Sequence, residues 1–217
     1  MGSRIYRSGQ SDTSADSNGV DMKTFIKTPA EKYPIWFNYS VDLTSFESVV
    51  SYVLTCVNVE TSVDSSATII FSDALSSPDV EVVIQAGAEG DNHYINCKAT
   101  TDKGNSYDRE ALIQIQTDVT DDFIKQPNST FAFSVKYDRR LKNGDLLASA
   151  AATAIKESDG TSVYGSIVLA PTVFAGTKIA VPVTGGPNGE TYLIGVKGTT
   201  DLGYVYEKTV RMILLEI

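Results

Sequence analysis

The chain has 217 residues, 42% of them hydrophobic, and a formal net charge of −9. That length holds one large domain or two small ones, and its apolar residues fall in runs far shorter than the ~18 a membrane helix needs. The acidic balance excludes general nucleic-acid binding, which depends on Lys and Arg neutralising phosphates, so neither nucleic acid nor membrane insertion is expected.

Residues 1–22 (MGSRIYRSGQSDTSADSNGVDM) are rich in Ser, Gly and Asp and show no periodicity. Met1–Gln10 lacks the apolar run of a secretory signal. Such a segment cannot bury enough apolar surface to offset its own ordering entropy. It is expected to be an extended N-terminal arm, ordered by a partner surface or by folding back on its own domain. Arg4, Ile5, Tyr6 and Arg7 are its candidate partner-binding residues.

The next word is Phe25-Ile26-Lys27-Thr28-Pro29, and it returns as Phe123-Ile124-Lys125-Gln126-Pro127. A short strand ending in Pro fits a sheet edge, because Pro cannot donate to a ladder. Phe37-Asn38-Tyr39-Ser40-Val41 alternates as a half-buried strand does, and it matches Phe131-Ala132-Phe133-Ser134-Val135 at an offset of 94. That offset implies four extra residues around Ala30–Ile35 in the first repeat. Tyr33, Ile35 and Trp36, in or beside this insertion, are further candidate partner-binding residues.

A third strand is expected at Val49–Val59, with the Ala-rich Leu146–Ile155 as its counterpart. Alanine favours helix, but the β-branched and aromatic Val49–Thr55 decides for strand. Fourth strands are expected at Ala67–Phe71 and Ser166–Ala170. Val80, Val82 and Ile84 define a fifth and match Ile179, Val181 and Val183. The stretch from Gly90 matches that from Gly189 without a gap, at an offset of 99 (189 − 90). Gly90, Ile95, Lys98, Thr100, Thr101, Asp102, Gly104 and Tyr107 all meet an identical residue. This gives strands at Tyr94–Thr100 and Tyr107–Ile115, with Leu193–Thr199 and Tyr206–Leu214, joined by Asp-x-Gly turns. A period of this length is that of a whole domain.

Seven short strands in about 95 residues most often build an immunoglobulin-like sandwich. The expected fold is therefore all-β: two tandem immunoglobulin-like β-sandwich domains preceded by an extended N-terminal arm. Residues 23–117 form repeat 1, 118–122 a linker and 123–217 repeat 2. Cys56 and Cys97 align with apolar residues of repeat 2, so they are expected to act as small core hydrophobes.

No catalytic constellation stands out. The single histidine, His93, aligns with Tyr192, which favours a structural position. No phosphate loop, nucleophile elbow or zinc spacing occurs, so no catalytic residue and no cofactor is expected. Asp118, Asp121 and Asp122 are weak calcium candidates in the acidic linker, against the plainer reading of a solvated acidic segment. Function is expected in surfaces.

Met22–Lys32 (MKTFIKTPAEK), the paired F-I-K-x-P words, the T-T-D-x-G hairpins and the terminal Leu214-Leu215-Glu216-Ile217 together resemble a small domain of tailed bacteriophages, the fiber–tail adaptor family. Members commonly have one such domain, whereas here there are two and an arm. The resemblance implies a non-enzymatic virion protein, made in the host cytoplasm, that bridges tail and fibre components in multiple symmetric copies. The alternatives are a capsid decoration protein, and a binding module for host-surface carbohydrate that would use Tyr33, Trp36, Tyr107, Tyr204 and Tyr206.

Overall fold

The computed structural model describes residues 12–15, 21–117, 119–138, 140–141 and 144–216. The chain divides after Thr117 into two units.

Unit 1 comprises β1 (Asp12–Ala15), β2 (Asp21–Lys27), β3 (Tyr33–Asn38), β4 (Val49–Asn58), the single-turn α1 (Ser66–Ile69), β5 (Ile70–Ser76), β6 (Asp79–Ile84), β7 (Asn92–Thr101) and β8 (Ser106–Ile115). One sheet has the order β1-β2-β8-β7-β4 and the other β3-β6-β5. Unit 2 comprises β9 (Val119–Lys125), β10 (Phe131–Lys136), β11 (Leu147–Lys156), β12 (Thr172–Phe174), β13 (Lys178–Val183), β14 (Thr191–Thr200) and β15 (Val205–Leu214). Its sheets are β11-β14-β15-β9 and β10-β13-β12. The two units share one topology, that of an immunoglobulin-like sandwich, except that β1 is an additional strand in the first.

Alternation places the cores. β7 and β14 bury every second side chain, with Ile95 and Cys97 matched by Ile194 and Val196. β2 in unit 1 and β9 in unit 2 each run parallel to the last strand of their unit, Lys23 facing Ala111 in one and Asp121 facing Val210 in the other. A register shift falls between Val49 and Ser51 and again between Leu147 and Ser149. Cys56 and Cys97 are free and fully buried, as core hydrophobes are.

Several sequence expectations need correction. Ile35 and Phe37 face Val82 and Val80 across β3–β6, while Phe133 and Val135 face Val181 and Ile179 across β10–β13. The offset there is 98 (133 − 35), as for the F-I-K-x-P words, so repeat 1 carries no four-residue insertion. The offset-94 match rested on Phe, Ser and Val identities, but Val41 is 83% exposed where Val135 is buried. The fourth strand of repeat 1 is displaced by α1 and begins at Ile70. Its counterpart is only Thr172–Phe174, preceded by isolated bridges at Val168. The expected linker at 118–122 is largely strand, since β9 begins at Val119.

The arm expectation falls partly outside the described residues. Within them, Asp12–Ala15 turns back as β1 and pairs antiparallel with Asp21–Thr24 of β2.

Two further correspondences lie in each core. Tyr39 and Tyr137 are both buried, and each hydroxyl donates to a carbonyl of the penultimate strand, Cys97 at 2.6 Å and Val196 at 2.5 Å. Lys27 and Lys125 are also buried. Lys27 Nζ donates to Ala86 O at 2.6 Å and Thr28 O at 2.7 Å. Lys125 Nζ donates to Gln126 O at 2.9 Å and, at 3.3 Å, to both Pro127 O and Gly185 O. Desolvation lowers the Lys125 pKa from its ordinary value. The lysine of F-I-K-x-P thus ties the exit of β2 to the loop after β6 in unit 1, and the exit of β9 to the loop after β13 in unit 2.

Candidate docking surfaces

On one flank of each sandwich the first and second sheets part, leaving a groove between β2 and β3 in unit 1 and between β9 and β10 in unit 2. The unit 1 groove has a volume of about 230 Å³ and is lined by Phe25, Ile35, Trp36, Phe37, Val41 and Arg109, among others. The unit 2 groove, about 500 Å³, is lined by Asp121, Asp122, Phe123, Phe131, Phe133 and Val210, among others. These are the same place in the repeat: Phe25 matches Phe123, Ile35 matches Phe133 and Ala111 matches Val210.

Their chemistry differs. In unit 1 the Arg109 guanidinium is held by the Asp42 carboxylate and by Asn38 O at 3.4 Å. The half-buried Trp36 donates its Nε1 hydrogen to Glu81 Oε2 at 3.0 Å. In unit 2 the groove is aromatic and acidic. Phe123 packs against Phe133 with centroids 5.0 Å apart and edge-on to Phe131 at 5.8 Å.

The sheet edges differ too. β1 covers the outer edge of β2, whereas among the described residues no strand pairs with the corresponding edge of β9. Ile124, on β9, is 56% exposed and Phe131 39%. An open strand edge beside an apolar groove can accept an added strand, with backbone bonds supplying affinity and the groove selecting side chains.

The sequence-derived candidates scatter. Arg4, Ile5, Tyr6, Arg7 and Asp118 lie outside the described residues. Ile35 is 2% exposed and belongs to the core, so its side chain is not offered to a partner directly. Tyr33 packs against that core, its hydroxyl donating to Ile26 O at 3.3 Å. Trp36 alone of these three lines a groove and retains partial exposure. Asp121 and Asp122 are adjacent strand residues, which point to opposite faces, and Asp122 lies 3.8 Å from Arg211. They do not converge on one ion. Among the described residues no three Asp, Glu, His or Cys side chains converge. Of the five aromatics that a carbohydrate site would use, Tyr206 is 4% exposed and Tyr107 packs on the core.

His93 makes an unexpected line of polar groups. Its Nδ1 meets Ser65 Oγ at 2.9 Å, Ser65 Oγ meets Cys56 Sγ at 3.3 Å, and Nε2 lies 3.7 Å from Asp91 Oδ2. The order imitates a catalytic triad, but 3.7 Å is too long for the orienting hydrogen bond, and the ring is 3% exposed. Burial lowers its pKa and favours the neutral ring.

Two units of one strand order, in tandem, define an all-β protein of two immunoglobulin-like sandwiches. Residues 27–114 and 125–213 each match the sequence profile of the podophage GP4 fiber-tail adaptor protein gp77 family, and the chain belongs to that family. No curated protein matches it. Among solved structures, the titin domains z1z2 in complex with telethonin are 10% identical, covering 89% of this chain and 91% of theirs, with a TM-score of 0.27. The N-terminal Ig1-2 module of the Drosophila receptor protein tyrosine phosphatase DLAR is 8% identical, covering 88% and 94%, also with a TM-score of 0.27. At that score neither carries weight for the fold, which rests on the strand order and register above.

Proposed function

We propose that this protein is a non-enzymatic virion component that bridges tail and fibre proteins of a podophage, with unit 2 offering the docking edge. Family membership across both repeats supports the adaptor role. The observation that carries the assignment of the surface is the difference between two matched edges: β2 is capped by the chain's own β1, and among the described residues no strand caps β9. A partner strand added to β9 would lay alternate side chains over Phe123 and Phe131. The N-terminal arm, with Arg4, Ile5, Tyr6 and Arg7, and the Trp36 groove serve as further contacts, in multiple symmetric copies. With a net charge of −9, contacts to other proteins fit better than contacts to the packaged genome.

The test is incorporation into particles. Full-length protein carrying Ile124→Lys, which charges the exposed face of β9, should fold normally yet be lost from particles. Trp36→Ala tests the other groove in the same way. Wild-type levels of both variants in purified virions would refute the surface assignment, and absence of the wild-type protein from virions would refute the function. A copy number far above that of a tail component would favour capsid decoration instead.

A further inference from the structure

The matched edges of β2 and β9 differ in charge as well as in cover. β1 lies antiparallel on β2, with Thr13 opposite Lys23 and Asp12 opposite Thr24. On β9 the corresponding positions are Asp121 and Asp122, and both are exposed. Arg211, 3.8 Å from Asp122, is itself held at 2.8 Å by Glu157, so it leaves this edge acidic. A strand like β1 would set Asp12 against Asp122, and like charges directly opposite are destabilising. The open edge of β9 therefore selects a basic strand.

The sequence holds such a segment immediately before β1. Residues 1–11, outside the described residues, contain Arg4 and Arg7 and no acid, in a chain whose net charge is −9. Between the arginines stand Ile5 and Tyr6, which suit the apolar half of the edge, Phe123 and the 56% exposed Ile124. Antiparallel pairing, the sense β1 takes on β2, sets Arg7 opposite Asp122, Tyr6 opposite Phe123 and Ile5 opposite Ile124. Alternation then turns Tyr6 with Phe123 toward the groove, and Ile5 with Ile124 toward the outer face of the sheet. We propose that Arg4–Arg7 of a second copy is the strand that β9 takes up, so that copies join arm to edge. This rests on the reading of β9 as the docking edge and names its occupant. The contact is heterologous, each copy giving one arm and receiving one, as a ring or chain of copies requires. Ser8–Ser11 can span up to about 13 Å, so β1 can stay on its own unit while the arm reaches a neighbour.

The test is a charge swap on the full chain, read by sedimentation velocity over a concentration series. Wild type should associate as its concentration rises. Arg4→Glu/Arg7→Glu and Asp121→Lys/Asp122→Lys should each stay monomeric alone, because in each the arm and the edge carry the same sign. An equimolar mixture of the two should associate as wild type does. The substituted arm residues precede both sandwiches and the substituted edge residues are exposed, so circular dichroism should show both variants folded. A monomeric wild type, or a mixture no more associated than its parts, overturns the proposal. Association retained in Arg4→Glu/Arg7→Glu overturns it whatever the edge variant does. If the wild type stays monomeric while Ile124→Lys is lost from particles, the docking edge stands and its occupant is a strand of another virion protein.

Discussion

The Tyr39 hydroxyl donates to the carbonyl oxygen of Cys97 at 2.6 Å, across the sandwich from β3's exit to the middle of β7. Tyr137 repeats the bond to Val196. A buried hydroxyl bonded to a buried carbonyl contributes about 1 kcal/mol, and leaving the carbonyl bare costs about as much again. Tyr39→Phe and Tyr137→Phe should therefore each destabilise their own unit by about 1–2 kcal/mol. Denaturant unfolding of the two single variants checks this. If neither midpoint moves, the bonds do not hold the sheets together.

The tyrosine pair also marks what the sequence withheld. The closing hairpin was legible because its Asp-x-Gly turn tolerates no insertion, so Gly90 and Gly189 align without a gap. Period-2 alternation located most other strands as well. The register of the second strand eludes residue names, because Phe37, Ser40 and Val41 meet identical residues at an offset of 94 while only Tyr39 does so at the offset of 98, and exposure is invisible in a residue name. The buried Lys27 and Lys125 read in the sequence only as repeated letters, since each lysine needs, besides carbonyls one or two residues away, one carbonyl 59 or 60 residues away. The grooves and the open β9 edge arise from pairing between strands distant in sequence, so no local pattern announces them.

Gly186 separates backbone freedom from space. Its φ is +124°, and an added Cβ would lie 2.3 Å from Leu214 Cδ1. Gly189, three residues on, has a φ of +82° with nothing within 4 Å of such a Cβ. Gly189→Ala should cost only the left-handed backbone penalty of about 1–2 kcal/mol. Gly186→Ala adds overpacking of the core, typically about 1–3 kcal/mol more. Comparing the two midpoints isolates the steric part, and equal losses would mean that Leu214 simply moves aside.

Cys97 occupies the place of Val196, and Cys56 that of Ala154. Burial raises both thiol pKa values, that of Cys97 to about 11. Since the thiolate is the reactive form, neither should react with a thiol reagent until unit 1 unfolds. The double variant Cys56→Ala/Cys97→Val, which borrows unit 2's own residues, should fold with a loss below about 1.5 kcal/mol per site. Rapid labelling of the native protein at neutral pH would contradict the buried placement.

Glu47 gives unit 1 an acid dependence of definite sign. Hydrogen bonds, first from the Thr101 hydroxyl and then from the Thr44 backbone amide, lower its pKa from 4.5 to about 2. Between those values the unfolded chain binds the proton and the folded one does not, so folding stability falls as the pH drops through this interval. Above 4.5 the contribution is fully present, because both states are ionised there. Glu47→Gln removes the titration while keeping an acceptor for Thr101. Unit 1 stability in the variant should lie below wild type near neutral pH, and the difference should shrink as the solution is acidified from about pH 5 toward pH 2. Chemical denaturation at a series of pH values measures that gap directly; a gap of constant size would mean that the carboxylate's bonds to Thr101 and Thr44 contribute nothing that depends on its charge.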